Sequence, residues 1–318
     1  MMNLAFAGFR HSHILSLYNA AVTDENVNIV GCLEENPAES IITDAVSLTY
    51  ASYEEILSDA RVDAIAIGDY YAKRGQMVIA ALKAGKHVIC DKPICTNLDE
   101  LDEIEALMHQ TGLKVCCMLD LRYMPQITTV QKLINEGKIG EIVNVSFTGQ
   151  HCLDYGNRPG WYFEDGKHGG TINDIAIHGI DLIRYLTKKN LTNINCARTW
   201  NAFAEKVPTF KDCAQFMAEF EDVSVMADVS YAAPKCNCIL PTYWKFTFWG
   251  KKGMLKFNYA SSDLYVYTTE EEILPCPPTE VTLLKDFALQ MDNKDSILNC
   301  EDMLKSQRQV LEIQKAAE

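Results

Sequence analysis

Asp174, His178 and Asp181 are spaced for proton chemistry. Read as one helix over about 171–186, residues four apart differ by about 40° around the axis. Asp174 and His178 then share a face, and Asp181 lies on that same face, about 20° to the other side of Asp174. An imidazole near its ordinary pKa is the natural base for taking a hydroxyl proton near neutral pH. Asp174 is placed to orient that ring and favour its charged form. Lys92 follows the apolar run 87–90, at the carboxyl end of a strand, where an ammonium could hold a hydroxyl or stabilise an alkoxide. A lone His–Asp pair on an amphipathic helix is more often a satisfied structural pair, so the surrounding elements must decide.

Those elements alternate over the first third of the chain. Apolar runs at 4–7, 28–33, 64–67, 87–90 and 113–118 are separated by helical spacing at 13–21, from Pro37, at 75–84 and from a cap at Thr96 or Asn97. Strands separated by helices of this length imply a parallel sheet covered on both faces. The expected fold is therefore α/β, with an N-terminal doubly wound domain over residues 1–118. After 118 the rhythm changes. A helix at 124–136 and a strand at 142–147 precede a glycine-rich loop and the helix of Asp174. The chain then turns mostly to strands at 215–220, 223–229, 244–249 and 254–257, with helical patterns at 281–291 and 301–317. This predicts a second, α+β domain over 119–318 with a largely antiparallel open sheet.

In an open parallel sheet, ligands sit at the carboxyl ends of strands near the switch in strand order. The first such end reads Gly8-Phe9-Arg10-His11-Ser12-His13. A dinucleotide fingerprint would have glycine at three of these positions. Only Gly8 remains, with Arg10 and His13 at the other two. Glu34, ending the second strand, is placed to bond a ribose hydroxyl, and its charge disfavours a 2′-phosphate. The HxH of His11 and His13 reads as capping or packing rather than a metal site.

Four segments resemble one family. The run 80–93, AALKAGKHVICDKP, resembles the "ALxAGKHVxxEKP" signature of the glucose–fructose oxidoreductase/inositol dehydrogenase (Gfo/Idh/MocA) family, with Asp91 in place of Glu. Arg122-Tyr123-Met124-Pro125 resembles its Arg-aromatic-x-Pro segment. Residues 169–181 resemble its "GGxxxDxxxHxxD" helix, and 250–255 its turn between sheet strands. The resemblance implies an NAD-type cofactor, NADP being left open, and hydride transfer from a carbinol carbon of a sugar or polyol. It implies Lys92, Asp174 and His178 as the catalytic trio, with Gly8, Phe9, Arg10, His11, Glu34, Asp69, Tyr70 and Lys92 facing the cofactor. Arg122, Tyr123, Asn173 and Asp181 would face the substrate. A homodimer or homotetramer is implied through the open face of the second sheet.

Other segments are less specific. Asp69-Tyr70-Tyr71 replaces the family's Thr-Pro-Asn after the third strand, so contacts near the nicotinamide must differ. The loop 151–168 carries Tyr155, Arg158 and Trp161, aromatic and charged groups that suit a carbohydrate pocket or, equally, a lid or interface. His151, Cys152, His168 and His178 match no metal-ligand spacing, and no metal is expected. Two further readings stay open. One is a sugar-binding protein that has lost dinucleotide binding; the other is a redox-neutral enzyme with tightly held NAD.

Bulk composition narrows the partners. The net charge of −14 argues against nucleic acid or an anionic membrane as the main partner. No apolar stretch is long enough for a transmembrane helix, and residues 1–7 do not read as a signal peptide. The 12 cysteines are scattered and mostly lie in apolar runs, which suggests reduced thiols and a cytoplasmic protein.

Overall fold

The computed structural model describes residues 1–318. They form two compact units. The first holds Met1–Met118, Gly156–Gly169 and Leu283–Arg308; the second holds Leu119–Tyr155, Gly170–Thr282 and Gln309–Glu318. A division at 118 alone leaves two later segments on the wrong side. A loop pattern and a helix pattern carry no mark of the sheet they pack against.

In the first unit the elements run β1 (Met2–Ala7), α1 (Ser12–Thr23), β2 (Val27–Leu33), α2 (Tyr53–Ser58), β3 (Ala64–Ile67), α3 (Tyr71–Lys83), β4 (His87–Cys90), α4 (Leu98–Thr111) and β5 (Val115–Cys117). The sheet is wholly parallel in the order β2-β1-β3-β4-β5. The strand order reverses between β1 and β3, and right-handed crossovers then send α1 to one face and α3 and α4 to the other. Every residue of β3 is buried, as a strand covered on both faces requires. Asn97 caps α4, its side-chain oxygen accepting from the Glu100 N–H at 2.9 Å. The helix expected from Pro37 is only a 3₁₀ turn, Pro37–Glu39, with no buried residue to hold a longer one. The helix of this connection is α2, which Ser52 caps.

The second unit is built on an eight-stranded sheet. Its helices are α5 (Pro125–Asn135) and α6 (Ile177–Thr187), and its strands are β6 (Ile142–Cys152), β7 (Leu191–Trp200), β8 (Cys213–Phe220), β9 (Val223–Ala233), β10 (Lys245–Gly250), β11 (Gly253–Asn258), β12 (Asp263–Tyr267) and β13 (Glu271–Pro275). The order is β13-β12-β11-β10-β6-β9-β8-β7, antiparallel except for the β6–β9 pair. The edge strands β7 and β13 carry mixed polar sequences with no clear alternation, which is common at edges. Two helices complete the chain, α7 (Leu283–Met291) and α8 (Cys300–Ala316).

Register explains how this sheet carries α6. Phe246 lies opposite both Phe257 and Phe147, and Phe147 lies opposite Ala227. The small Ala227 leaves room for Phe147 to reach Phe216 of β8, with ring centroids 6.0 Å apart. Helix α6 rests on this aromatic row through Gly179. A Cβ there would lie 2.2 Å from the Phe147 ring, so only glycine lets the turn bearing His178 settle on the sheet. Gly179→Val is expected to destabilise the protein by about 1–3 kcal/mol through overpacking. Urea denaturation checks this, and an unchanged midpoint would mean the helix does not depend on that contact.

Candidate functional site

The switch point of the parallel sheet places two turns side by side. Gly8 has φ +83°, and a Cβ there would sit 2.7 Å from the Asp69 backbone nitrogen. The turn is stitched to both neighbouring strands. The Gly8 N–H donates to Leu33 O at 2.9 Å, and the Arg10 N–H donates to Gly68 O at 2.9 Å. The Phe9 ring is buried against Phe6 and Tyr18, so only its backbone faces the turn. That N–H donates to Glu34 Oε2 at 2.6 Å. Glu34 Oε1 accepts from Arg10 Nε at 3.0 Å and from the Asn36 N–H at 2.8 Å. Arg10 also reaches Glu39, at 2.8 Å. Burial opposes its charge, but Glu34, Asp69 and Glu39 more than offset that and raise its pKa.

These contacts test the fit of a dinucleotide. An ionised carboxylate has about four acceptor positions, and Glu34 has three engaged, leaving one for a ribose hydroxyl. The first-turn amides of α1 have no intrahelical acceptor, as at any helix start, and the N-cap residue His11 does not cap them with its side chain. The residues therefore fit a dinucleotide at its ribose and at the helix N-terminus. Arg10 at the second glycine position is folded back onto acids rather than into the turn.

Asp91 closes the other side. It is wholly buried, and Oδ2 accepts from Arg74 Nη2 at 3.0 Å. His11 Nδ1 lies 2.8 Å from Oδ2 and His13 Nδ1 lies 3.0 Å from Oδ1. The HxH is thus a clamp on one carboxylate, and these three side chains also stand close enough to hold an ion. Burial alone would raise the Asp91 pKa; Arg74, His11 and His13 hold it well below the carboxylate range. Burial pushes the His11 ring down to about 3, with Asp91 opposing only in part.

Around Lys92 stands an aromatic box. Lys92 is buried, with Nζ 5.9 Å from the Tyr71 ring centroid, and its carbonyl accepts from Arg74 Nη1 at 2.5 Å. Tyr71 and Tyr162 share a hydroxyl–hydroxyl bond of 2.7 Å, and Arg158 stacks on Tyr162 at 4.5 Å. Trp161, expected to face a substrate, has no exposed surface, and its indole N–H donates to Arg10 O at 3.2 Å. The Lys167 ammonium lies over the Tyr70 ring, 5.1 Å from its centroid, and the Asp69 carboxylate holds Lys73 at 2.9 Å.

The second unit holds the other candidates. Residues Ile172–Ala176 form a π-turn ahead of α6. The simple 40° offset therefore does not hold between Asp174 and His178, and such turns recur at functional sites. Gln314 Oε1 accepts from the N–H groups of Ile172 and Asn173 at 3.0 and 3.3 Å. The Tyr231 hydroxyl donates to the Asp174 carboxylate. His178 Nδ1 lies 3.6 Å from Asp120 Oδ1, and its ring packs 5.1 Å from Trp244. Asp120, Tyr231 and Trp244 went unnoticed in the sequence, where no spacing marks them. Arg122 and Asp181, both expected to face the substrate, grip each other in a buried fork, Nε to Oδ2 at 2.7 Å and Nη2 to Oδ1 at 2.6 Å. Tyr123 is half-buried beside them, and Tyr155 is exposed.

A neutral buried His11 makes stability pH-dependent. Below about 6.5 the unfolded ring takes a proton that the folded ring refuses, so stability falls on acidification by about 1.4 kcal/mol per pH unit. This continues toward the folded value of about 3. Asp91, with a depressed pKa, adds stability that is present above about pH 4 and lost below it. Denaturation curves between about pH 5 and 6 should show a shallower dependence in His11→Asn, by about 1 kcal/mol per unit. An unchanged slope would contradict the neutral ring.

Two family profiles match the chain in succession. Residues 4–118 match the profile of an oxidoreductase family with an NAD-binding Rossmann fold. Residues 127–256 match the GFO/IDH/MocA C-terminal domain. The levoglucosan dehydrogenase of Pseudarthrobacter phenanthrenivorans is 30% identical over 234 residues, covering 67% of this chain and 60% of that protein. The chain spans about half the length of the curated relatives it matches. A crystal structure from Erwinia carotovora atroseptica, described as a candidate oxidoreductase, superposes with a TM-score of 0.88 at 21% identity, covering 100% of this chain and 99% of that one. An Agrobacterium radiobacter oxidoreductase, crystallised with NAD+, L-tartaric acid and magnesium, gives 0.80 at 16% identity, covering 99% and 95%. With both of its domain profiles matched in order over well over half its length, this chain belongs to the GFO/IDH/MocA oxidoreductase family.

Proposed function

We propose that this protein is an NAD-dependent oxidoreductase acting on a hydroxyl-bearing carbon of a sugar, polyol or sugar derivative. The observation that carries the reading is the Gly8 turn at the sheet's switch point, with Glu34 ending β2, inside the segment that matches an NAD-binding family. When bound, the nicotinamide accepts or returns a hydride. The chain's own residues bind and move protons. His178 takes the hydroxyl proton, and Asp120, 3.6 Å from Nδ1, favours the imidazolium that results. Asp174 is held by Tyr231 for a second hydroxyl. Lys92 carries the positive charge that favours a developing alkoxide. Glu34 and Glu39 surround Arg10, the cation that would otherwise receive a 2′-phosphate, and this supports NAD over NADP.

The levoglucosan dehydrogenase relative supports a carbohydrate substrate. The exposed Met217, Met226, Trp249 and Ile273 on the second sheet support a homodimer or homotetramer. No helix is long and apolar enough to cross a membrane, and eight buried thiols support a cytoplasmic setting. A second reading, a sugar-binding protein without dinucleotide chemistry, draws on the Gly8, Phe9 and Arg10 amides, all engaged by protein acceptors.

Steady-state oxidation of a panel of sugars and polyols with NAD tests the assignment. His178→Ala should lower kcat by about 10²–10⁴ while leaving NADH affinity within about twofold. Equal loss of both, or full activity in the variant, would remove His178 from the role of base.

A further inference from the structure

The strands β9 and β10 are joined by residues 234–244, which carry two thiols one residue apart. Cys236 and Cys238 are both exposed, with Sγ atoms 3.6 Å apart, and the Cys236 thiol donates to Cys238 O at 3.1 Å. Nothing in the proton chemistry above uses them. The loop is pinned at both ends. Lys235 Nζ bonds Asp154 Oδ1 at 2.7 Å, the Thr148 hydroxyl donates to Thr242 O at 2.8 Å, and the Tyr243 N–H donates to Leu240 O at 2.9 Å. It ends at Trp244, buried against His178 and His151. The third exposed thiol, Cys196, lies on β7.

We propose that Cys236 and Cys238 are a redox-active dithiol that closes to a disulfide by exchange with a small-molecule disulfide, tightening the loop that ends at Trp244. A disulfide needs the sulfurs at about 2.05 Å, a closure of about 1.5 Å from their present contact, which an exposed loop accommodates by side-chain rotation. One thiolate attacks the external disulfide and releases one small thiol. The neighbouring thiol, on losing its proton, attacks the mixed disulfide and releases the second. The protein loses two hydrogens and the external disulfide becomes two thiols, so atoms and electrons balance. Proximity makes the second step intramolecular, so the mixed disulfide does not accumulate. Cys196 has no such partner in reach on its strand and supplies an internal control.

The test uses the full-length reduced protein, with oxidised glutathione as the probe, followed by blocking of free thiols, trypsin and mass spectrometry. Cleavage after Lys235 and Lys245 leaves both cysteines in one peptide. That peptide should appear lighter by two hydrogens and free of glutathione, while Cys196 keeps a glutathione adduct. In Cys236→Ser and in Cys238→Ser the surviving thiol should retain glutathione at a level about tenfold above the wild type. Dithiothreitol should restore both thiols, and amides of 234–243 should exchange hydrogen more slowly in the oxidised protein. A peptide that keeps two free thiols, retains glutathione as Cys196 does, or cross-links to Cys152 overturns the proposal. Unchanged hydrogen exchange overturns the tightening. None of these readouts depends on dehydrogenase activity, so the outcome stands apart from the functional assignment.

Discussion

Asp91 has no exposed surface, and its charge is balanced by a guanidinium from α3, while the imidazoles of His11 and His13, at the start of α1, hydrogen-bond its two oxygens. A carboxylate in that position is costly unless every partner is in place. The cost makes the arrangement specific. The end of β4, the start of α1 and the first turns of α3 must meet at one point for the charge to be satisfied. Lys92 is the next residue along, so its direction is inherited from the same closure. The Arg74 guanidinium completes the link, bonding the carbonyls of Asp69 and Lys92 as well as Asp91.

The opposite side of the turn repeats the device in milder form. Glu34 collects the Phe9 amide, the Arg10 side chain and the Asn36 amide, while Trp161 takes the Arg10 carbonyl. Side chains have thus taken over a loop that small residues usually leave to the ligand. A dinucleotide in this turn relies on the α1 amides and on the last acceptor position of Glu34. Under the proposed NAD reading, the acidity around Arg10 is what would oppose a second negative charge on the ribose. The same crowding is the physical basis of the competing view that the fold has been kept without its cofactor.

Much of the fold was legible because short-range physics sets it. Five apolar runs separated by helical spacing became five parallel strands, and Asn97, one of the two expected cap positions, opens α4. Elements that depend on distant partners were not legible. The edge strands β7 and β13 owe their order to neighbours, and Pro37 lacked the apolar face a helix needs. The candidate site divides in the same way. Gly8 and Glu34 could be placed from strand ends. Asp91 meets His11 and His13 across about 80 residues of chain, through a strand order that no local pattern encodes. Likewise, the π-turn before α6 depends on Gln314 far downstream, so the angular relation of Asp174 to His178 could not be read from their spacing.

The central claim is that this turn binds NAD. It is tested most directly by titrating NADH and NADPH, followed by nicotinamide fluorescence, against folded protein stripped of any co-purified dinucleotide. The account predicts saturable binding with NADH preferred by about tenfold or more, and loss of that binding in Gly8→Val, whose Cβ would meet the Asp69 backbone at 2.7 Å. Failure of the folded wild-type protein to bind either cofactor would contradict it and leave a sugar-binding protein on an inherited fold.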